Sequence, residues 1–397
     1  MRSLIFALPL LVLTACSPPA QTSTPTPPPL SAEAQAAMDR INSADFSTVA
    51  AEPANREPTL APAPTNAATA PAPEATSTAQ ATSAAQAGPA GANQTEASVG
   101  ANVHYDAAMV RIEVLLDRAH FSPGVIDGYN GENVRKAVSA YQASHNMPVN
   151  GQADNQLLAQ LTAQETTPAL VTYAITAADV SGPFAPVPQD LEAMSHLDHL
   201  GYASAAEGIA EKFHMDEDLL HTLNPGVDFT QAGTAIVVTN AGGDLSADVA
   251  SIVIDKRERS LRAYDASGAM LAFYPATIGS PDAPAPSGDF SVRSVAFDPT
   301  YHYDPARLPT FGRRNHGALT IAAGPNNPVG AVWVALSLET YGIHGAPEPQ
   351  QVSKTQSHGC VRLTNWDAIE LGHAVRAGVP VSFRDQGLQA SAAARAG

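Results

Sequence analysis

Cysteine is nearly absent from this chain: the 397 residues hold two, Cys16 and Cys360. A disulfide framework is therefore excluded as the source of stability, and each cysteine needs its own explanation, as a small buried hydrophobe or a reactive group. Positive charge is also scarce, with 21 Lys and Arg against 38 Asp and Glu and a formal charge of −17. The basic residues form no cluster, so a stripe that tracks phosphates is excluded and nucleic acid is not an expected partner. No apolar run reaches the ~20 residues of a membrane-spanning helix. The one short run, Leu4 to Leu13 behind Arg2, has the layout of a signal sequence. Aromatic residues are few, and between Ser17 and Asn102 there is hardly one besides Phe46. That stretch is rich in Pro, Ala, Thr, Ser and Gln and cannot bury enough apolar surface to offset its ordering entropy. Residues 17–103 therefore read as a disordered tether with a reach of roughly 50 Å. Within it, Ala36, Met38, Ile41 and Phe46 sketch a short amphipathic helix over 32–48 that the flanking polar repeats argue against.

Leu13-Thr14-Ala15-Cys16, directly after the apolar run, resembles a bacterial lipobox. The resemblance implies that residues 1–16 are a lipoprotein signal peptide, that Cys16 carries the lipid, and that a membrane is a partner through this anchor. It implies a periplasmic, lipid-anchored place in a bacterial cell envelope, and Ser17 in place of Asp points to the outer membrane. An ordinary signal peptide with a cysteine at its cleavage site is the alternative.

Composition shifts near 104, 165 and 247 divide the rest, so the expected fold class is multidomain α+β. In residues 104–165, Ala108, Ile112, Leu115 and Leu116 mark one helical face and Val134, Val138 and Tyr141 another. Between them, Phe121 to Gly131 is a Pro- and Gly-rich turn, and Met147 to Gly151 is a second. This order, with the SPGxxDGxxG turn, the YQ helix and the PVxG turn, resembles the peptidoglycan-binding-domain-1 family of three-helix modules. The commoner role of Asp127 and Gly128 is to hold the turn, and no binding residue is assigned there. In residues 166–246, Ser204 to Phe213 and Met215 to Leu223 read as helices, followed by a strand over 233–238. This resembles a degenerate LysM module, with a packing spacer as the alternative.

From residue 247 to 385 the period becomes two, with strands over 251–254, 261–264, 270–278, 290–295, 331–336 and 379–383, and a helix over 365–377 capped by Thr364. Residues 386–397 read as a disordered tail. Cys360 sits in this β-dominated domain beside Gly359, where bare backbone lets a substrate carbonyl approach. A thiol is mostly protonated at neutral pH, so a nucleophilic Cys360 needs a base. His344 is the better candidate, because His358 is too near in sequence to shuttle a proton freely. The amides of His358, Gly359 and Cys360 are candidate oxyanion donors.

Tyr341-Gly342-Ile343-His344-Gly345 followed by Ser357-His358-Gly359-Cys360-Val361-Arg362 resembles the L,D-transpeptidase, or YkuD, catalytic domain. The resemblance extends to Pro286-Ser287-Gly288-Asp289-Phe290 and to Gly324 to Gly330 with Trp333. It implies acyl transfer in peptidoglycan. Cys360 would attack the L-centre carbonyl of diaminopimelate in a tetrapeptide stem, expel D-alanine, and pass the acyl group to a second diaminopimelate amine, giving a 3→3 crosslink. It also implies a main-chain carbonyl, that of Gly345, orienting His344, with Ser357, His358, Gly359 and Arg362 around substrate or oxyanion. A carbapenem would acylate the same cysteine. Ser357 and His358 have structural alternatives. Arg362 has two readings of equal weight, a clamp on a stem carboxylate or an ion pair with an acid such as Asp367. No cofactor or metal is expected.

Three rivals use the same residues differently. A hydrolase would replace the acceptor amine by water, and a protein amine could replace the stem-peptide acceptor. A metal site would draw on His344, His358 and Cys360 with His316 or His373, although no C-x-x-C or H-x-x-x-H spacing supports it. A non-enzymatic wall-binding lipoprotein would leave the Cys and His pair unexplained.

Overall fold

The structure is a computed structural model and describes residues 29–47, 105–163, 166–280, 283–305, 317–355, 357 and 359–385. The signal peptide with Cys16, the 386–397 tail, His316 and His358 lie outside the described residues, as does most of the 17–103 stretch. The fold is mixed α+β, with helices gathered in the N-terminal half and a β-rich C-terminal domain. Among the described residues, no helix is long and apolar enough to cross a membrane.

The tether reading fails for residues 29–47. Helix α1 (Ala32–Ser43) forms there, its first turn closed by the Ser31 hydroxyl accepting from the Ala34 amide. Ala34, Ala37 and Ile41 line one face and are buried in a core shared with the second module. Asn42 pairs with the Leu170 backbone in both directions, at 3.0 and 2.8 Å, and Arg111 donates to the Ala44 carbonyl at 2.6 Å. Composition averaged over the whole stretch hid this local stripe, whose tertiary burial supplies what its short length cannot. Residues 48–104 therefore join two packed elements, since Tyr105 lies against Arg40 of α1.

Helices α2 (Ala107–Arg118), α3 (Glu132–Ser144) and α4 (Asn155–Thr162) make the first module around Ile112, Leu115, Leu116, Val138, Tyr141 and Leu157. The second module runs β1 (Leu170–Ala174), α5 (Leu191–Ser195), α6 (Ala205–Lys212), α7 (Glu217–Leu223) and β2 (Ala235–Thr239). Its two strands pair antiparallel, Leu170 opposite Thr239.

The C-terminal domain begins with β3 (Ser251–Asp255), β4 (Ser260–Tyr264), β5 (Met270–Pro275), β6 (Thr277–Ile278), β7 (Gly288–Phe297), β8 (Tyr301–Tyr303) and β9 (Leu319–Ile321). It continues with β10 (Val332–Leu336), β11 (Gly342–His344), β12 (Val361–Arg362), α8 (Asn365–Ala374) and β13 (Pro380–Arg384). Nine of the strands form one sheet in the order β5-β4-β3-β13-β7-β10-β11-β12-β6, and β8 pairs with β9 apart from it. The strand expected over 270–278 is thus two strands at opposite edges of the sheet, joined by Ala276 alone. One residue spans only ~3.8 Å between α-carbons, so the sheet must curl until its edges meet. Helix α8 ends at Ala374, three residues before the expected 377, because Val375 is already extended at φ −100°, ψ 155°.

The modules are fastened to this sheet. Phe121 bridges Phe273 on the β5 edge, with the Ser122 amide donating to the Phe273 carbonyl and the Phe273 amide to the His120 carbonyl, each at 2.9 Å. Phe273 is buried in the helical module's core, so the edge strand is capped as P-free apolar surface is removed from water. The second module binds through Leu200, whose amide reaches the Ala323 carbonyl at 2.9 Å, and through His214 stacked on Trp366 with centroids 5.0 Å apart. Ile41→Ala should lower stability by about 2–5 kcal/mol through the cavity it leaves. Denaturant unfolding checks this, and an unchanged midpoint would mean that α1 is not docked in solution.

Candidate active site

Backbone pairing assembles the site. Strand β11 lies between β10 and β12, antiparallel to the first with Trp333 opposite His344, and parallel to the second with His344 opposite Arg362. Side chains alternate across a sheet, so Ile343 and Val361 point into the core, where both are fully buried. His344 and Arg362 share the other face, and Cys360, two residues before Arg362, falls on that face too. Residues sixteen apart in sequence thus meet because two short strands pair in register. The Trp333 ring stacks on the His344 ring with centroids 5.4 Å apart. Gly342 makes this possible, since a β-carbon there would sit 2.5 Å from the Trp333 ring.

His344 is buried, and its Nδ1 donates to the Gly345 carbonyl at 2.7 Å. A carbonyl can only accept, so the proton sits on Nδ1 and Nε2 is left as the basic nitrogen. Gly345 is itself held where a β-carbon would lie 2.1 Å from Asn365 Oδ1. Burial first, then the Arg362 charge, pulls the imidazole down to about 3, against the opposing pull of the Gly345 and Val329 carbonyls. It is neutral at neutral pH.

Cys360 is half-buried, its Sγ 3.8 Å from the Thr340 carbonyl. Burial raises its thiol above the ordinary value, while the Gly342 amide and the Arg362 charge favour the thiolate. Arg362 is also buried and pulled down, yet a guanidinium remains cationic. Its charged neighbours are Cys360, Glu348 and Tyr301. Asp367 is not its partner, because that carboxyl accepts from the Ser122 hydroxyl at 3.0 Å. Tyr301, on β8, feels burial first and then Cys360, which hold its phenol up to about 12.

The remaining expected residues behave differently. Ser357 is buried and occupied by backbone: its hydroxyl donates to the Cys360 carbonyl at 2.6 Å and accepts from the Gly279 amide at 2.6 Å. It shapes the loop that carries Cys360 and does not face a substrate. Gly359 has φ +110°, and a β-carbon there would meet Tyr341 at 2.9 Å. Its amide points to Ser357 Oγ at 3.4 Å, so it is a turn former before it is an oxyanion donor. His358 lies outside the described residues. Among the described residues, no group of three or more His, Cys, Asp or Glu is placed to hold a metal. His373 pairs instead with Asp244 at 2.9 Å. Tyr301 was missed from the sequence, where the only signal was the aromatic alternation Tyr301-His302-Tyr303.

Residues 250–382 match the family described as "L,D-transpeptidase catalytic domain", or YkuD. The chain carries a YkuD-type L,D-transpeptidase domain. Residues 106–161 match the family described as "Putative peptidoglycan binding domain". The chain is similar to "Putative L,D-transpeptidase YkuD" of Bacillus licheniformis, 29% identical over 45% of this chain and 92% of that protein. It is 45% identical to the protein of the same name in Bacillus subtilis over 15% of this chain and 36% of that one. Among solved structures, L,D-transpeptidase 3 from Mycobacterium tuberculosis aligns with 15% identity and a TM-score of 0.29 over 39% of this chain and 76% of that chain. The YkuD-type domain accounts for the pairing of β11 with β12, and the peptidoglycan-binding match coincides with α2, α3 and α4.

A thiol raised by burial should be alkylated slowly by iodoacetamide at pH 7, with a midpoint above the ordinary thiol value. Arg362→Gln removes a cation that favours the thiolate and should move the midpoint higher. A wild-type midpoint below about 8 would contradict this electrostatic account.

Proposed function

We propose that the protein is a peptidoglycan L,D-transpeptidase that works through a thioester on Cys360. The observation that carries this reading is the His344–Arg362 register of β11 and β12, with Nδ1 of His344 committed to the Gly345 carbonyl. Thiol and imidazole are both neutral at rest, so the proton moves as bonding begins. Sulfur adds to the L-centre carbonyl of diaminopimelate in a tetrapeptide stem while Nε2 of His344 takes the thiol proton. Collapse of the tetrahedral oxyanion breaks the amide C–N bond, and His344 returns the proton to the departing D-alanine amine. A second diaminopimelate amine then attacks the thioester and gives His344 its proton. Collapse expels the Cys360 sulfur, which recovers that proton, and leaves a 3→3 amide. The cationic Arg362 on the same face suits a stem carboxylate. The upstream helical module would hold the wall, and residues 1–16 with lipidated Cys16 would anchor the chain on the periplasmic side of the envelope.

Docking of α1 has a consequence for that anchor. Fifteen positions separate Cys16 from Ser31, the cap of α1, so the folded body would stay within roughly 50 Å of the membrane.

Full-length protein incubated with disaccharide-tetrapeptide should yield a 3→3 dimer and free D-alanine by mass spectrometry. Cys360→Ala should abolish both, and His344→Gln should slow turnover by about 10²–10⁴-fold. Shortened stems without any dimer would replace the transpeptidase by a hydrolase. Failure of a carbapenem to label Cys360 would remove the acyl-enzyme altogether.

A further inference from the structure

The loop between the two catalytic strands is held by the wall-binding module. Asn133 of α3 is buried and donates through Nδ2 to the Val352 carbonyl at 3.1 Å, and Lys136 of α3 reaches Ser353 Oγ at 3.1 Å. Ser353 is itself buried, with φ +69°, and its carbonyl accepts from Arg259 at 2.9 Å while its amide donates to Thr277 Oγ1 at 2.8 Å. The same loop continues through Ser357 to Cys360. A helix of one module is thus bonded to the segment that leads to the nucleophile of another.

Where these two parts meet they leave a cavity of about 290 Å³. One wall is the module's turn, with Pro123, Asp127, Tyr129 and Asn133, and the other is the catalytic loop, with Gln350 and Lys354. The turn is rigid: the buried Glu113 accepts from the amides of Asp127 and Gly128 at 3.1 and 2.8 Å, and Asp127 accepts from the Tyr129 amide at 2.8 Å. Gln350 and Lys354 are exposed at the mouth, Tyr129 and Asp127 are half-buried, and Asn133 and Pro123 are buried at the base. The cavity lies at the small end of ligand pockets, roughly 300–1,000 Å³, a size suited to one unit of a polymer. An aromatic ring beside amide groups suits the apolar face and the hydroxyl and amide edges of a sugar. The acidic Asp127 disfavours a stem peptide, which is rich in carboxylates.

Resting on the transpeptidase reading, we propose that this cleft is a saccharide subsite, shared by the wall-binding module and the catalytic loop, that holds a sugar of the glycan strand whose stem peptide reaches Cys360. The module then selects glycan-linked stems over free peptides and sets the spacing between strand and nucleophile. Affinity gained there acts on the donor by confinement, without a new contact at the reacting carbonyl.

The test compares disaccharide-tetrapeptide with free tetrapeptide as donors for full-length wild type, Tyr129→Ala and Gln350→Ala. Expected is a rise of about tenfold in KM for the disaccharide-linked donor in each variant, with kcat and all parameters for the free tetrapeptide unchanged. Parallel changes for both donors, or no change for either, overturn the subsite. Carbapenem labelling of Cys360 at the wild-type rate and an unchanged melting curve show that each variant keeps its fold and nucleophile. Sedimentation with glycan strands stripped of their peptides reads the cleft without chemistry. Wild type should co-sediment and Tyr129→Ala should bind more weakly, and equal binding overturns the proposal even if the enzyme proves to be a hydrolase.

Discussion

The site depends on the parallel pairing of two very short strands. His344 opposite Arg362 and Ile343 opposite Val361 are the only register that places the thiol, imidazole and guanidinium on one face and two aliphatic side chains in the core. A slip of one residue would bury the charged group and expose Ile343, so burial on the opposite face enforces the register. Strand β12 has only two residues, and it is held from its other side by β6, where Arg362 lies opposite Thr277. That contact exists because the sheet curls far enough for Ala276 to link β5 to β6.

The same curl explains why the modules matter to the catalytic domain. The β5 edge is capped by Phe121 and Ser122 of the helical module, and the Cys360 loop is bound by α3 of that module. The second module meets the start of α8, where Asn365 donates to Glu211 at 2.8 Å while its Oδ1 accepts from the Ala331 amide at 2.9 Å. Asn365 Oδ1 also crowds Gly345, whose carbonyl orients His344. Wall-binding and spacer modules therefore reach to within one residue of the catalytic base, and they act as part of its frame.

Electrostatically the site is poised in the neutral form. Burial opposes a charge on either partner, lifting the thiol and lowering the imidazole. Arg362 has a divided effect, favouring the thiolate while disfavouring the imidazolium. A charged pair would be costly before substrate arrives and becomes useful only as the oxyanion develops. For stability the sign follows from the depressed imidazole. Its neutral form is favoured by the fold above the unfolded value near 6.5, and this contribution is lost as pH falls toward about 3.

Much of this was legible in the residues themselves. Periodicity located the helices of both upstream modules and most strands, because each of those elements has one apolar face facing one core. The scarcity of cysteine and the neighbours of Cys360 singled out the nucleophile, and the freedom of a distant segment singled out His344. Helix α1 was misjudged because its stripe is weak alone and becomes stable only by burial against the second module. The 270–278 segment was read as one strand because nothing in its side chains records that Ala276 crosses between two sheet edges. Tyr301 and the occupation of Ser357 depend on contacts between segments far apart in the chain. The sequence by itself determined the chemical inventory and the local periodicities, which depend on neighbours three or four residues away. Only the tertiary structure decided which groups share a face, which hydroxyl is already bonded and which charges are buried, because pairing register and desolvation arise between segments that no local pattern connects.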